Sequence, residues 1–161
     1  MAGWTVRFVL WAVATILATS LATVAAADDM RMFVKRGTAY EDVQLDLQTA
    51  IEAKGLKIGA VGDLGDMLAR TAKDLDIEAP VYQSAHYLQF CSAVFAHRLT
   101  AADPRNLGHC PFLMFIYETV AKPGEVVVGY RPFVRSGTTA TRAVLTEVEA
   151  MLDAIAAEAV R

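Results

Sequence analysis

The sequence predicts an α+β fold in one domain, with a mixed or largely antiparallel sheet backed by helices. Three observations predict it. Strand-like and helix-like segments alternate after an apolar leader, a β-hairpin follows them, and a long amphipathic helix ends the chain. The 161 residues correspond to one domain of ordinary size. We therefore expect one hydrophobic core between the sheet and its helices.

The leader has the layout of a secretory signal peptide. Arg7 is its only charged residue, residues 8–27 are uncharged, and small residues stand at 25–27 before Asp28. We predict that residues 1–27 are a signal peptide cleaved after Ala27. The alternative is a retained apolar anchor helix, since about 20 uncharged residues can also span a bilayer.

Either interpretation exports the domain of residues 28–161. We expect a periplasmic protein or, if the anchor is retained, an inner-membrane protein whose domain faces the periplasm. Contact with the membrane is expected only through residues 8–27.

The first predicted strand, residues 30–35, is followed by a helix. Thr38 and Glu41 have the spacing of a capping box, in which both side chains bind N–H groups at the helix start. Gly55 is the predicted helix end. The apolar residues of this helix recur on one face: Val43, Leu47, Ala50 and Ile51.

A second strand and helix follow in the same way. Residues 56–61 predict a short strand. Asp63 is the predicted N-cap of a helix that ends at Pro80 at the latest. The apolar residues of this helix are Leu64, Leu68 and Leu75.

The second half contains a further helix and the hairpin. Residues 81–90 predict an extended segment, and residues 91–101 predict a helix closed by Asp103-Pro104. Residues 112–120 and 126–130 are rich in β-forming residues and flank Pro123-Gly124, a pair suited to a type II turn. The apolar stripe of the last helix, from Thr139, consists of Val144, Val148, Met151, Leu152 and Ile155.

Composition excludes several classes of function. The net charge is −3 and there is no Lys/Arg run, so a nucleic-acid partner is not expected. There is no phosphate-binding loop, HExxH or Ser/His/Asp spacing. An enzyme is therefore less favoured than a binding role.

Cys91 and Cys110 are the only cysteines, and their state is open at this point. In an exported protein two cysteines most often form a structural disulfide. Two inert thiols and a redox-active or metal-binding pair are the alternatives. No CxxC motif is present, so a thioredoxin-type mechanism lacks its motif.

Histidines near the cysteines give a second hypothesis. His86 and His109, together with the two cysteines, could bind copper, zinc or haem by donor type. Their spacing matches no known ligand pattern, and ordinary hydrogen-bonding histidines are favoured instead. We expect no cofactor, with a metal or haem as the alternative.

The end of the hairpin offers a candidate binding surface. Tyr130, Arg131 and Phe133 combine aromatic surface with a cation, which suits an anionic ligand or a protein partner. The alternative is an ordinary sheet edge.

Several segments, by their order and spacing, resemble an uncharacterised bacterial family, domain of unknown function 302. They are residues 38–61, 87–93, 103–111 and 128–131, together with Tyr117-Glu118. The resemblance implies one compact α+β domain of the TATA-binding-protein-like fold type, and homodimers, but no activity. One feature departs from the family pattern: Phe112 stands where its second cysteine is expected, and Cys110 lies two residues earlier.

These observations predict an exported accessory or binding domain, without enzymatic activity, that holds a protein partner or a small ligand against its sheet. Two alternatives remain. One is a thiol-redox or metal-binding protein that uses Cys91, Cys110 and His109. The other is a membrane-anchored peripheral subunit of a membrane complex.

Overall fold

The computed structural model describes residues 30–77 and 80–161, and the predicted leader lies outside the described residues. Two 3-10 helices, Lys73–Leu75 and Pro104–His109, follow the second and third α-helices. The strands and α-helices are, in chain order, β1 (Arg31–Arg36), α1 (Tyr40–Ala53), β2 (Lys57–Asp63), α2 (Leu64–Ala72), β3 (Tyr82–Cys91), α3 (Ala93–Ala102), β4 (Phe112–Thr119), β5 (Glu125–Tyr130) and α4 (Thr139–Ala159).

The five strands form one sheet in the order β1-β5-β4-β3-β2. Every neighbouring pair is antiparallel, so the predicted α+β class is confirmed and the sheet has no parallel pair among the described strands. Strands β1 and β2 are the two edges. Because β5 lies between β1 and β4, the hairpin end is not an edge of the sheet.

Helices α1 and α4 cover one face of the sheet, which we call the inner face. Alternate residues of β3, β4 and β5 point to this face and are buried there, as the two-residue period of a strand requires. Phe33 of β1 and Ile58 of β2 pack against this core but are only partly buried. The core consists mainly of Phe112, Met114, Ile116, Val126, Val128 and Tyr130 from β4 and β5, with Val43, Leu47, Ile51, Val148, Leu152 and Ile155 from the helices.

The predicted hairpin is confirmed. The amide of Glu125 donates to the carbonyl of Lys122 at 3.2 Å, and Gly124 has a φ of 76°, as the third residue of a type II turn requires. The buried carboxylate of Glu118 accepts a hydrogen bond from the amide of Gly124 at 2.6 Å. The turn is therefore tied to β4 as well as closed on itself.

The predicted capping box of α1 is wrong. The N-cap is Ala39, without a side-chain hydrogen bond, and the helix begins at Tyr40. Burial of the Tyr40 ring, 4% exposed, sets this start one residue later than Thr38 and Glu41 would place it. Asp63 is confirmed as the N-cap of α2, because its carboxylate accepts from the amide of Asp66 at 2.8 Å.

Helix α3 begins two residues later than predicted. Cys91 is the last residue of β3, where it pairs with Lys57 of β2. Ser92 is the N-cap, and its hydroxyl accepts from the amide of Phe95 at 3.4 Å. Pairing with β2 thus extends the strand through Cys91.

Candidate functional site

The face of the sheet opposite α1 and α4, which we call the outer face, has an apolar centre, with the ion pair of Arg36 and Glu125 at one end. An antiparallel sheet with one face in water normally shows polar residues there. Here Met32 and Val34 of β1 are 56% and 39% exposed, and Leu113 of β4 is 43% exposed. The side chains of the outer face include Met32, Val34, Ala85, Tyr87, Leu113, Phe115, Tyr117 and Val127. An exposed apolar surface of this kind is typical of a site that binds a ligand or a protein partner.

Helix α2 forms one wall of a cleft over this face. Gly65 lets the helix approach β3 closely, since a Cβ at this position would lie 2.9 Å from the backbone nitrogen of Ala85. Leu64 lines the cleft. Met67 and Leu68 extend the apolar surface along the helix, and all three side chains are 37–41% exposed.

Three aromatic rings form a row across the floor. Tyr82 meets Tyr117 edge to face with ring centroids 5.5 Å apart, and Tyr117 stacks against Phe115 at 6.1 Å. The Phe115 ring lies on Gly129, where a Cβ would come within 2.6 Å of a ring carbon. The hydroxyl of Tyr117 donates to the sulfur of Met32 at 3.8 Å, which joins the row to β1.

The cleft has a volume of about 510 Å³. Its described lining contains no Asp, Glu, Lys or Arg. Burial raises the pKa of the Tyr117 hydroxyl, so this group stays neutral at physiological pH and can act as a donor. The site therefore suits an uncharged ligand with a large apolar surface.

His86 contributes to the lining of the cleft and is tied to other elements. Its Nδ1 lies 2.8 Å from the hydroxyl of Tyr40, and its Nε2 lies 3.6 Å from a carboxylate oxygen of Asp63. The Tyr40 hydroxyl also donates to the carbonyl of Ile116 at 3.3 Å, and burial raises its pKa. These contacts fix the His86 ring and link α1, β3 and the start of α2.

The two cysteines form a disulfide, with Cα atoms 5.9 Å apart. The ring of His109 packs edge-on against Phe133 at 5.5 Å. His86 lies five residues before Cys91 and on the other face of β3. The structure thus pairs the cysteines without gathering the two histidines around them. No group of three or more His, Cys, Asp or Glu within residues 30–77 and 80–161 is placed to hold a metal ion.

The residues predicted at the hairpin end are divided between the core and the surface. Tyr130 is 1% exposed, and its hydroxyl donates to Asp153 at 2.8 Å. Phe133 is half-buried against Phe112, and Arg131 is exposed.

Tyr130 and Phe133 help to line a second cleft of about 530 Å³, whose lining does not include Arg131. The two arginines of this cleft are bound by carboxylates of α4: Arg31 by Asp153 and Arg135 by Glu149, both at 2.7 Å. These ion pairs hold β1 and the segment after β5 against α4. We therefore regard the outer-face cleft as the better candidate site.

The site residues predicted from the sequence do not include those of the outer-face cleft, apart from His86. A signal for it exists in β4, since residues 112–117 are apolar or aromatic at every position rather than at alternate ones. Such a run predicts a strand whose two faces are both covered. In the structure α1 and α4 cover only the inner face.

Comparison with known proteins identifies a family and a fold. The family model of Domain of unknown function DUF302 matches residues 32–159. The crystal structure of uncharacterized conserved protein DUF302 from Bacillus stearothermophilus is similar, with a TM-score of 0.65 and 14% identity. The alignment covers 83% of this chain and 100% of that one. Comparison with curated proteins gives no match. Of the helices in the described parts of the chain, none has the length and hydrophobicity needed to span a membrane.

Proposed function

This chain belongs to the family Domain of unknown function DUF302, and we propose that it is an exported binding domain for an uncharged, largely apolar small molecule. The ligand lies in the outer-face cleft. The observation that supports this most is the cleft itself, because its volume of about 510 Å³ is within the usual range of ligand pockets.

The lining supports this class of ligand. The row of Tyr82, Tyr117 and Phe115 offers ring faces and edges to a planar molecule. The described lining contains no Asp, Glu, Lys or Arg, and both ring nitrogens of His86 already face Tyr40 and Asp63. A charged ligand would therefore lack a partner there, and a buried unpaired charge is costly. The hydroxyls of Tyr82 and Tyr117 orient the ligand.

Binding of Nile red, an uncharged apolar dye, tests the proposal. We expect saturable fluorescence enhancement with one dye per domain. Met32→Glu places a charge at the edge of the cleft and should weaken dye binding at least about tenfold, which corresponds to about 1.4 kcal/mol. Val94→Glu is the matched control, since Val94 is exposed on α3 and does not line the cleft. This variant should bind the dye like the wild type.

Three results would contradict the proposal. The first is equal loss of dye binding in both variants, and the second is the lack of saturable binding by the wild type. The third is a dimer in sedimentation that Met32→Glu dissociates, in a protein that does not bind the dye. That result would show that a second copy covers the outer face.

Export is tested separately by the intact mass of the protein recovered from cells that express the full chain. A mass that corresponds to residues 28–161 in the periplasmic fraction supports cleavage after Ala27. The full mass in the membrane fraction would instead support the anchored peripheral subunit.

A further inference from the structure

The disulfide lies at one end of the sheet, away from the cleft lining. It joins the last residue of β3 to the residue before Pro111 and encloses α3 and the following 3-10 helix. Cys91 is exposed, whereas Cys110 is half-buried. An incoming thiolate therefore reaches the sulfur of Cys91 more easily.

The surroundings of the two sulfurs differ in charge. Cys91 faces Lys57 across the β2–β3 register, and paired residues of antiparallel strands place their side chains on the same face about 5 Å apart at Cβ. Cys91 also directly precedes Ser92, the N-cap of the ten-residue helix α3. A nearby ammonium group and a helix N-terminus both favour the thiolate form of a cysteine.

Cys110 lies at the C-terminus of a helix, whereas Cys91 precedes a helix N-terminus. It is the C-cap of the 3-10 helix Pro104–His109, and its amide donates to the carbonyl of Leu107 at 3.2 Å. A helix C-terminus disfavours negative charge. After reduction, these surroundings favour the thiolate form more at Cys91 than at Cys110.

We propose that the Cys91–Cys110 disulfide exchanges with the dithiol of a partner protein, with Cys91 as the sulfur that bonds to the partner. A partner thiolate attacks the sulfur of Cys91, the Cys91–Cys110 bond breaks, and Cys110 leaves and takes a proton from water. The second partner thiol loses its proton to water and attacks the partner sulfur of the mixed disulfide. Cys91 leaves as a thiolate. The partner dithiol is oxidised by two electrons, and the Cys91–Cys110 pair is reduced by two.

The alternative interpretation is a structural disulfide that only stabilises the fold. In the chain-entropy model, closing a loop of this length stabilises by about 3 kcal/mol. However, α3 has other contacts with the rest of the domain. Leu99 is fully buried, and Arg98 forms a bidentate ion pair with Glu147 of α4, with contacts of 2.6 and 2.7 Å. We therefore expect the reduced domain to remain folded, as exchange requires.

Alkylation of single-cysteine variants by iodoacetamide tests the asymmetry. Cys110→Ser leaves Cys91, and Cys91→Ser leaves Cys110. We expect the rate for Cys91 to rise with a midpoint at least one pH unit below the ordinary value of about 8.5, and the rate for Cys110 to rise near or above it. Lys57→Ala in the Cys110→Ser protein should raise the Cys91 midpoint, whereas Lys54→Ala, an exposed lysine without register contact to Cys91, should not.

Exchange itself is measured with the full oxidised protein and a reduced peptide that carries two cysteines. We expect one equivalent of oxidised peptide and a reduced Cys91–Cys110 pair. When Cys110→Ser first carries thionitrobenzoate on Cys91 as a mixed disulfide, a peptide with a single cysteine should displace thionitrobenzoate and form a mixed disulfide with Cys91. Two alkylation results would overturn the proposal: equal pH midpoints for the two thiols, or a Cys91 midpoint that Lys57→Ala does not change. It is also overturned if the wild-type disulfide does not oxidise the peptide, or if circular dichroism shows that the reduced domain unfolds.

Discussion

Gly129→Ala tests whether the floor of the cleft depends on the absence of a side chain in β5. Gly129 stands opposite Met32 of β1 and Phe115 of β4. A Cβ here would lie 2.4 Å from the carbonyl oxygen of Arg31 and 2.6 Å from the Phe115 ring. The ring can turn away, but the carbonyl belongs to the backbone of the paired strand, so the β1–β5 pairing must shift.

The expected destabilisation follows from two opposing effects. Overpacking in a closely packed region costs about 1–3 kcal/mol, whereas replacing glycine with alanine in a strand returns about 0.5–1 kcal/mol of chain entropy. We expect the free energy of unfolding, measured in urea, to fall by about 1–2 kcal/mol with an unchanged m-value. Nile red affinity should fall as well, because Phe115 is displaced.

Gly59→Ala is the matched control, since the nearest atom to its added Cβ is a carbonyl oxygen of Gln89 at 3.7 Å, an ordinary contact. We expect this variant to be as stable as the wild type within about 0.5 kcal/mol. In a protein that also carries Phe115→Ala, Gly129→Ala should lower the free energy of unfolding by a smaller amount. The effect should not disappear, because the Arg31 carbonyl still lies against the added Cβ. Equal stability of the two alanine variants would refute the reasoning, and so would complete rescue by Phe115→Ala.

Two further predictions concern the segment that the disulfide encloses. The Arg105 side chain donates to Asp103 and holds its pKa at about 2, so this carboxylate contributes stability that is fully present above about pH 4 and is lost as the pH falls towards 2. Asp103→Asn should lower the melting temperature at pH 6, and the difference from wild type should shrink as the pH falls towards 2 and vanish below it. A constant difference would contradict this. Asn106→Ala removes buried hydrogen bonds to the Leu99 carbonyl at 2.8 Å and the Thr141 hydroxyl at 2.9 Å. It should cost about 1–3 kcal/mol in urea unfolding, and a loss below about 0.5 kcal/mol would show that water replaces the amide.

The elements could be predicted from the sequence where local chemistry decides them. The hairpin needs a residue with positive φ after Pro123, and Gly124 supplies it. The carboxylate of Asp63 caps α2 because its partner amide is only three residues away. The stripe of α4 faces the core because its period matches that of a helix.

Contacts between distant residues explain the errors. Tyr40 begins α1 because its ring is buried and its hydroxyl lies 2.8 Å from His86, forty-six residues later. Cys91 belongs to β3 because β2 provides Lys57 as a partner. The leucines of α2 have the period of a buried helix face, yet no residue of this helix is buried. Periodicity predicts which side chains share a face, but it does not show what covers that face.

The flatness of the outer face also depends on long-range pairing. In two places an aromatic residue stands opposite a glycine in the neighbouring strand, Phe115 opposite Gly129 and Tyr87 opposite Gly62. In both places a Cβ on the glycine would overlap the ring, at 2.6 Å for Phe115 and 2.1 Å for Tyr87. The rings therefore lie across the adjacent strand instead of standing away from the sheet. Rings that lie flat leave the space above them open, and this arrangement produces a cleft on a sheet whose aromatic side chains would otherwise fill it.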